Sequence, residues 1–402
     1  MHVADLETFV VGNRPGEFGG EYFIFVKLTT DTGVVGYGEH YGASFGPDVV
    51  PAMIADLAER HLIGRSPFEI EQFWHRCHGS GFTHRADVSV MGCVSALEMA
   101  CWDIVGKELD RPVYELLGGR VHEALRSYTY LYPAPGDAAD VYLDPATAAQ
   151  RAAEEVARGF TAVKFDPAGP YSIYSGHQPT LERLELSEAM TAAVREAVGT
   201  NADILFGTHG QFTAAGALRL AHRLERYDPL WFEEPVPPGD PAEMAKVASQ
   251  TVIPIAAGER LTTKHEFMAL LERKAVSIIQ MNLGRVGGIL EGKKIGALAE
   301  ANGAQLAPHL YCGPLVGAAN VQLATCTPNF LILESIQDWG GIHADVLKSK
   351  MGWEDGYVIP PTAPGLGVEL DEDFCRANPY TGDGLHLRMA EFPVDPRSDA
   401  LE

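Results

Sequence analysis

The sequence predicts an α/β protein whose main body is a closed parallel barrel. Short apolar runs recur from residue 125 to residue 335, helical segments separate them, and many of the runs end in a polar residue. Trp231-Phe-Glu-Glu-Pro235, Ile253-Pro-Ile-Ala-Ala-Gly-Glu259 and Gln305-Leu-Ala-Pro-His309 each read as a buried parallel strand closing on a carboxylate or an imidazole. Polar groups at the C-terminal ends of successive βα units meet on one rim of a barrel, where such folds place their chemistry.

Residues 1 to about 60 begin with strands and turns: Tyr22–Leu28 and Val34–Glu39 are strands joined by an Asp31-Thr-Gly33 turn. Glycines at 16, 19, 20, 42 and 46 bracket this hairpin with segments able to cover a pocket. From about 48 to 118 the period is helical, and Val90–Val105 is so apolar that it must lie between layers. The first barrel strand is 125–131, and seven more lie near 160–166, 203–208, 230–234, 253–258, 276–282, 305–310 and 330–335. After Asp166 the connection is long and carries Tyr171, Tyr174 and His177, a composition suited to a polar ligand.

The formal charge of −23 argues against nucleic acid or an anionic membrane as partner, because both demand a cationic face. The N-terminus lacks the basic and apolar regions of a signal peptide, which predicts a cytoplasmic protein. Six cysteines without Cys-x-x-Cys spacing read as reduced core residues.

The strand ends supply Lys164, Asp166, His209, Glu233, Glu234, Glu259, Asn282, His309 and Glu334. Neighbouring carboxylates repel unless a cation lies between them, so Glu233 and Glu259 point to a hard divalent ion held through oxygen, Mg²⁺ rather than Zn²⁺. His209 and His309 are the general acid/base candidates, since imidazole titrates near neutrality. Lys164 could meet a substrate carboxylate or pair with Asp166.

On Ser95-Ala-Leu-Glu-Met-Ala-Cys-Trp-Asp-Ile-Val-Gly-Lys107, Leu116-Leu-Gly-Gly119, Phe232-Glu-Glu-Pro235, Ala257-Gly-Glu-Arg260, Gly287-Gly288, Ala307-Pro-His309 and Pro364–Glu369, nearly the whole chain resembles the mandelate racemase/muconate lactonizing enzyme subgroup of the enolase superfamily. Within it the chain is most similar to sugar-acid dehydratases of the D-galactonate type. The resemblance implies a modified (β/α)₇β barrel over 123–362. An α+β capping domain would be built from 1–122, with 363–402 returning to it. It also implies Mg²⁺, an enediolate intermediate, a sugar-acid substrate and a homo-oligomer. By the same resemblance His209 is the base, His309 the acid that expels the 3-hydroxyl, and Glu334 a partner of the substrate carboxylate. Capping-loop specificity residues would include His84, Arg85, Tyr171 and His177, with Asn282 beside the substrate.

Three positions depart from that pattern. Gly207 stands where the family places its first metal-binding Asp, Asp166 where it places the second lysine of a Lys-x-Lys pair, and Asn282 where it places the Asp partner of His309. One expectation is that Asp166 fills the metal position left by Gly207; the other is that His209 becomes a ligand. Asn282 can orient His309 without stabilising its charge. The leading expectation is a Mg²⁺-dependent lyase giving a 2-keto-3-deoxy acid. An isomerase sharing the enediolate, and a sugar-acid-binding protein without catalysis, remain open.

Overall fold

The computed structural model describes residues 1–393 apart from 43, 167, 169–171 and 175. Strands β1 (Val3–Gly12), β2 (Tyr22–Thr30) and β3 (Val35–His40) form an antiparallel sheet in that order. One face packs on helices α1 (Val49–His61), α2 (Ile70–His78) and α3 (Val88–Glu108), and the other, with Phe9, Phe23, Phe25 and Tyr37, joins the main core, so β2 is buried almost throughout. Helix α3 is long and apolar enough to cross a membrane by length and composition alone, yet it is buried between this sheet and the barrel, as its unbroken apolar run requires. The close approach of α3 to β3 depends on missing side chains: a Cβ on Gly38 would lie 1.9 Å from the Ala96 carbonyl, and one on Gly36 would lie 2.3 Å from that of Ala100.

The second body is the expected barrel. Its parallel strands are β4 (Leu125–Tyr130), β5 (Ala162–Phe165), β6 (Asp203–Phe206), β7 (Trp231–Glu233), β8 (Ile255–Ala257), β9 (Ile278–Ile279), β10 (Gln305–Leu306) and β11 (Leu333–Ser335). Each pairs with the next, β11 pairs with β4, and the ring closes between β10 and β11 where the Leu331 N–H donates to the Leu306 carbonyl at 2.8 Å. A helix follows each of the first seven strands, from Pro145–Ala157 to Pro314–Thr325. The strands are shorter than the apolar runs suggest, because the residues beyond them turn outward into the rim.

Carboxylates from the capping domain hold the barrel helices. Glu98 accepts from the Ile289 and Leu290 N–H groups at 2.7 and 2.8 Å, at the start of the helix Ile289–Ala301. Glu39 accepts from Leu315 and Val316 at 3.1 and 2.9 Å, at the start of Pro314–Thr325. Both use the unsatisfied donors and positive end of a helix N-terminus. Gly287 and Gly288, at φ +96° and +100°, leave room for Trp74 and Glu98, whose atoms a Cβ would meet at 2.4 and 2.0 Å. The C-terminal stretch is tied in similarly: Asp103 accepts from Leu366 and Tyr37, and Asn378–Tyr380 hydrogen-bonds to β1.

Candidate active site

Each barrel strand adds one side chain to an apolar floor: Tyr128, Ala162, Leu205, Trp231, Ala256, Ile278, Ala307 and Ile332. Two residues further on, the strand period of two turns a side chain inward again. Those positions hold Tyr130, Lys164, Gly207, Glu233, Gly258, Gln280, His309 and Glu334. The candidate site is this second layer, crowned by the residues just beyond it.

Lys164 is 2% exposed, and its Nζ donates to Glu233 Oε1 at 2.6 Å and to Glu334 Oε1 at 3.4 Å. Burial alone would depress its pKa, but the Glu233 and Glu334 carboxylates outweigh it and raise the pKa above the usual lysine value. Glu233 has its other oxygen occupied as well: Oε2 accepts from the Trp231 indole at 3.0 Å and the Gln280 amide at 2.8 Å. Glu334 Oε2 accepts from the Leu310 N–H at 2.8 Å. Of the two partners open to Lys164, therefore, Asp166 is not the one it takes.

Asp166 turns to the next loop instead. Its Oδ2 lies 3.0 Å from His209 Nδ1, and its Oδ1 accepts from the Ala168 N–H at 3.1 Å. Burial opposes charge on His209, yet the Asp166 hydrogen bond and the Glu259 charge raise its pKa overall. The His209 loop is fixed from below, with Gly210 donating to the Glu234 carbonyl at 2.8 Å and the Gln211 side chain accepting from the His209 N–H at 2.7 Å.

His309 is set up differently. Asn282 Oδ1 accepts from the Gly284 N–H at 2.8 Å, which turns the amide NH₂ toward His309, 3.0 Å from Nδ1. Nδ1 is thereby an acceptor, and the neutral ring carries its proton on Nε2. Burial lowers the His309 pKa despite the pull of Glu259 and Glu334. His309 Nε2 stands 3.3 Å from Glu259 Oε2, a buried oxygen with no hydrogen-bond partner.

Two further residues reach this rim: Arg285, which the sequence reading passed over, and Tyr41, which opens the 41–45 capping loop expected to set specificity. Arg285, just past β9, donates to the Glu259 carbonyl at 3.1 Å and stacks over Tyr41 at 4.4 Å. Tyr41, buried at the end of the capping sheet, lies 5.7 Å from the His309 ring. An arginine three residues past the 276–282 run was a readable signal; the approach of Tyr41 to it is a tertiary contact.

His177 packs its ring on Phe212 at 5.4 Å, and its N–H donates to the Gln211 carbonyl, which joins the long connection to the His209 loop. His84 and Arg85 are exposed, and the recorded ring contact of His84 is with His78 in the capping domain. No contact brings them to the strand-end ring among the described residues. Tyr171 lies outside the described residues.

Residues 147–374 match the enolase C-terminal domain-like family, and 16–118 match the mandelate racemase/muconate lactonizing enzyme N-terminal domain. The chain belongs to the mandelate racemase/muconate lactonizing enzyme family of the enolase superfamily. It is 36% identical to D-gluconate dehydratase of Thermoproteus tenax, over 93% of this chain and 72% of that one. To D-galactonate dehydratase of Ralstonia pickettii it is 36% identical, over 87% and 89%. A crystal structure provisionally described as a mandelate racemase/muconate lactonizing enzyme, from Labrenzia alexandrii DFL-11, is 62% identical and superposes with a TM-score of 0.95, over 98% and 99%.

Enolase-superfamily proteins typically bind Mg²⁺. The donors assigned to it from the sequence were Asp166, Glu233 and Glu259. In the folded chain both Glu233 oxygens are taken by Lys164, Trp231 and Gln280, and Asp166 is engaged by His209 and Ala168. Of these three, Glu259 alone presents a buried oxygen without a hydrogen-bond partner, and the neighbouring Gln280 Oε1 is the other such oxygen in the inward layer. No group of three His, Cys, Asp or Glu side chains is disposed to hold a metal among the described residues. Mg²⁺ demands near-octahedral oxygen ligation, and this donor set, as arranged, does not fit it.

Proposed function

We propose that this family member is a hydro-lyase that removes the C2 proton from an aldonate-like sugar acid and eliminates the 3-hydroxyl as water, giving a 2-keto-3-deoxy acid. The observation that carries the reading is the Asp166–His209 pair across the ends of β5 and β6, a carboxylate-oriented imidazole with a raised pKa beside the Glu259 and Lys164 charges. The dehydratase names of the relatives in Thermoproteus tenax and Ralstonia pickettii support it.

With Nδ1 engaged by Asp166, proton exchange runs through His209 Nε2. This nitrogen takes the C2 proton, and the C2–H electron pair passes into the carboxylate to form the enediolate. His309 cannot serve as a full proton donor in its neutral Nε2–H form without becoming an imidazolate. It acts instead as a neutral hydrogen-bond donor to the developing negative charge, as a neutral imidazole can. The enediolate then expels the C3 oxygen, which takes its proton from the His209 imidazolium, so that water leaves and His209 is neutral again. The resulting enol ketonises by exchange with solvent. The His309 acid role expected from resemblance becomes an electrophilic one because Asn282, unlike an Asp, offers an N–H to Nδ1.

The test is a screen of the purified protein against aldonic and aldaric acids, trapping keto products with semicarbazide and reading mass. Loss of water with a trapped 2-keto acid is expected. A mass-neutral change would assign an isomerase; tight binding without turnover would assign a sugar-acid-binding protein.

A further inference from the structure

The misfit between this donor set and Mg²⁺ has a partner in the packing around Lys164. Gly207 occupies the second inward layer just past β6, beside the Lys164 side chain of β5, the strand that pairs with β6. A Cβ on Gly207 would stand 2.9 Å from Lys164 Cε and 3.5 Å from Cγ. The lysine stem therefore fills the volume that any longer side chain at 207 would need, and a carboxylate there excludes Lys164 as it now lies. The ammonium it delivers sits between the Glu233 and Glu334 carboxylates, with the Tyr130 and Tyr128 ring centroids at 5.7 and 6.0 Å.

Buried carboxylates that converge from β7 and β11 on one point need a counter-charge. Here the chain supplies it covalently. We propose that the Lys164 ammonium takes the place of the divalent cation, so that a sugar acid is bound and its enediolate stabilised without Mg²⁺. An ammonium carries three donors; Glu233 and Glu334 account for two, and the third is available to the substrate carboxylate. When His209 removes the C2 proton, the carboxylate gains charge beside a cation already fixed in place, so stabilisation requires no reorganisation. No oxidant, reductant or second reactant enters the step. The proposal rests on the dehydratase reading for the reaction that the ammonium serves; its claim about metal stands apart from that reading.

The deciding experiment titrates the intact chain with Mn²⁺, followed by electron paramagnetic resonance, in parallel with sugar-acid turnover or binding in excess EDTA. The expected result is no stoichiometric Mn²⁺ and no loss of turnover or binding in EDTA. One equivalent of Mn²⁺ per chain, lost in Glu259→Gln, would overturn the proposal, as would turnover abolished by EDTA and restored by Mg²⁺. Failure of every acid to lose water would sink the dehydratase reading while leaving the Mn²⁺ result to decide the metal claim. The double substitution Gly207→Asp with Lys164→Ala, checked for folding by circular dichroism, should gain stoichiometric Mn²⁺; a folded double variant without it would contradict the replacement.

Discussion

At the scale of single residues, two imidazoles are pushed in opposite directions by their neighbours. His209 faces a carboxylate and its pKa is raised; His309 faces an amide N–H and burial lowers its pKa. A base works deprotonated, so the rate should fall as pH drops through the raised His209 value. Asp166→Asn removes the group that holds this value up, and the acid limb of kcat/KM should move to lower pH. An unmoved limb would separate the limb from His209. His209→Asn should cut kcat about 10²–10⁴-fold with smaller change in KM, measured on whichever acid the screen identifies. Asn282→Asp should raise the His309 pKa, read by NMR of the ring, because Nδ1 would then face a carboxylate.

At the scale of elements, the site depends on the pleat. Lys164, Glu233, Gln280, His309 and Glu334 share an inward layer because each lies two residues past an apolar floor residue on its own strand. That regularity is why the ring could be read from strand ends. What could not be read is which pairs form within it. Lys164 reaches Glu233 because Gly207 on the next strand leaves a gap, and Asn282 shows its N–H to His309 because the Gly284 N–H claims its oxygen. Both choices are made by a neighbour with no side chain. The same rule governs α3 on β3: Gly38→Ala would drive a methyl against the Ala96 carbonyl, and overpacking of this kind costs about 1–3 kcal/mol or more, visible as a lowered thermal midpoint.

At the scale of the whole molecule, many of the residues that made the family legible are struts rather than catalysts. Glu98 within Ser95–Lys107 caps a barrel helix, Gly287-Gly288 makes room for it, and Asp103 binds the backbone at Leu366 within Pro364–Glu369. Glu98 and Glu39 lock the capping domain to the β9 and β10 side of the barrel, where Asn282 and His309 lie, and Asp103 ties in the C-terminal stretch. Glu98→Gln should therefore destabilise the protein by about 1–3 kcal/mol, because an amide puts a donor against helix N–H groups that need an acceptor. A melt unchanged by this substitution would remove the strut role. The capping loops were harder to read. His84 and Arg85 attracted notice by residue type and lie exposed on the capping domain, whereas Tyr41 and Arg285 meet at the rim through a contact between distant segments.

Removal of a C2 proton by His209 followed by loss of the 3-hydroxyl leaves an isotopic record when the reaction is run in D₂O and the sugar acid is followed by NMR and mass. The expected result is loss of water and a 2-keto-3-deoxy product carrying solvent deuterium at C3. A product of unchanged composition with deuterium at C2 and the 3-hydroxyl retained would contradict it and assign an epimerase.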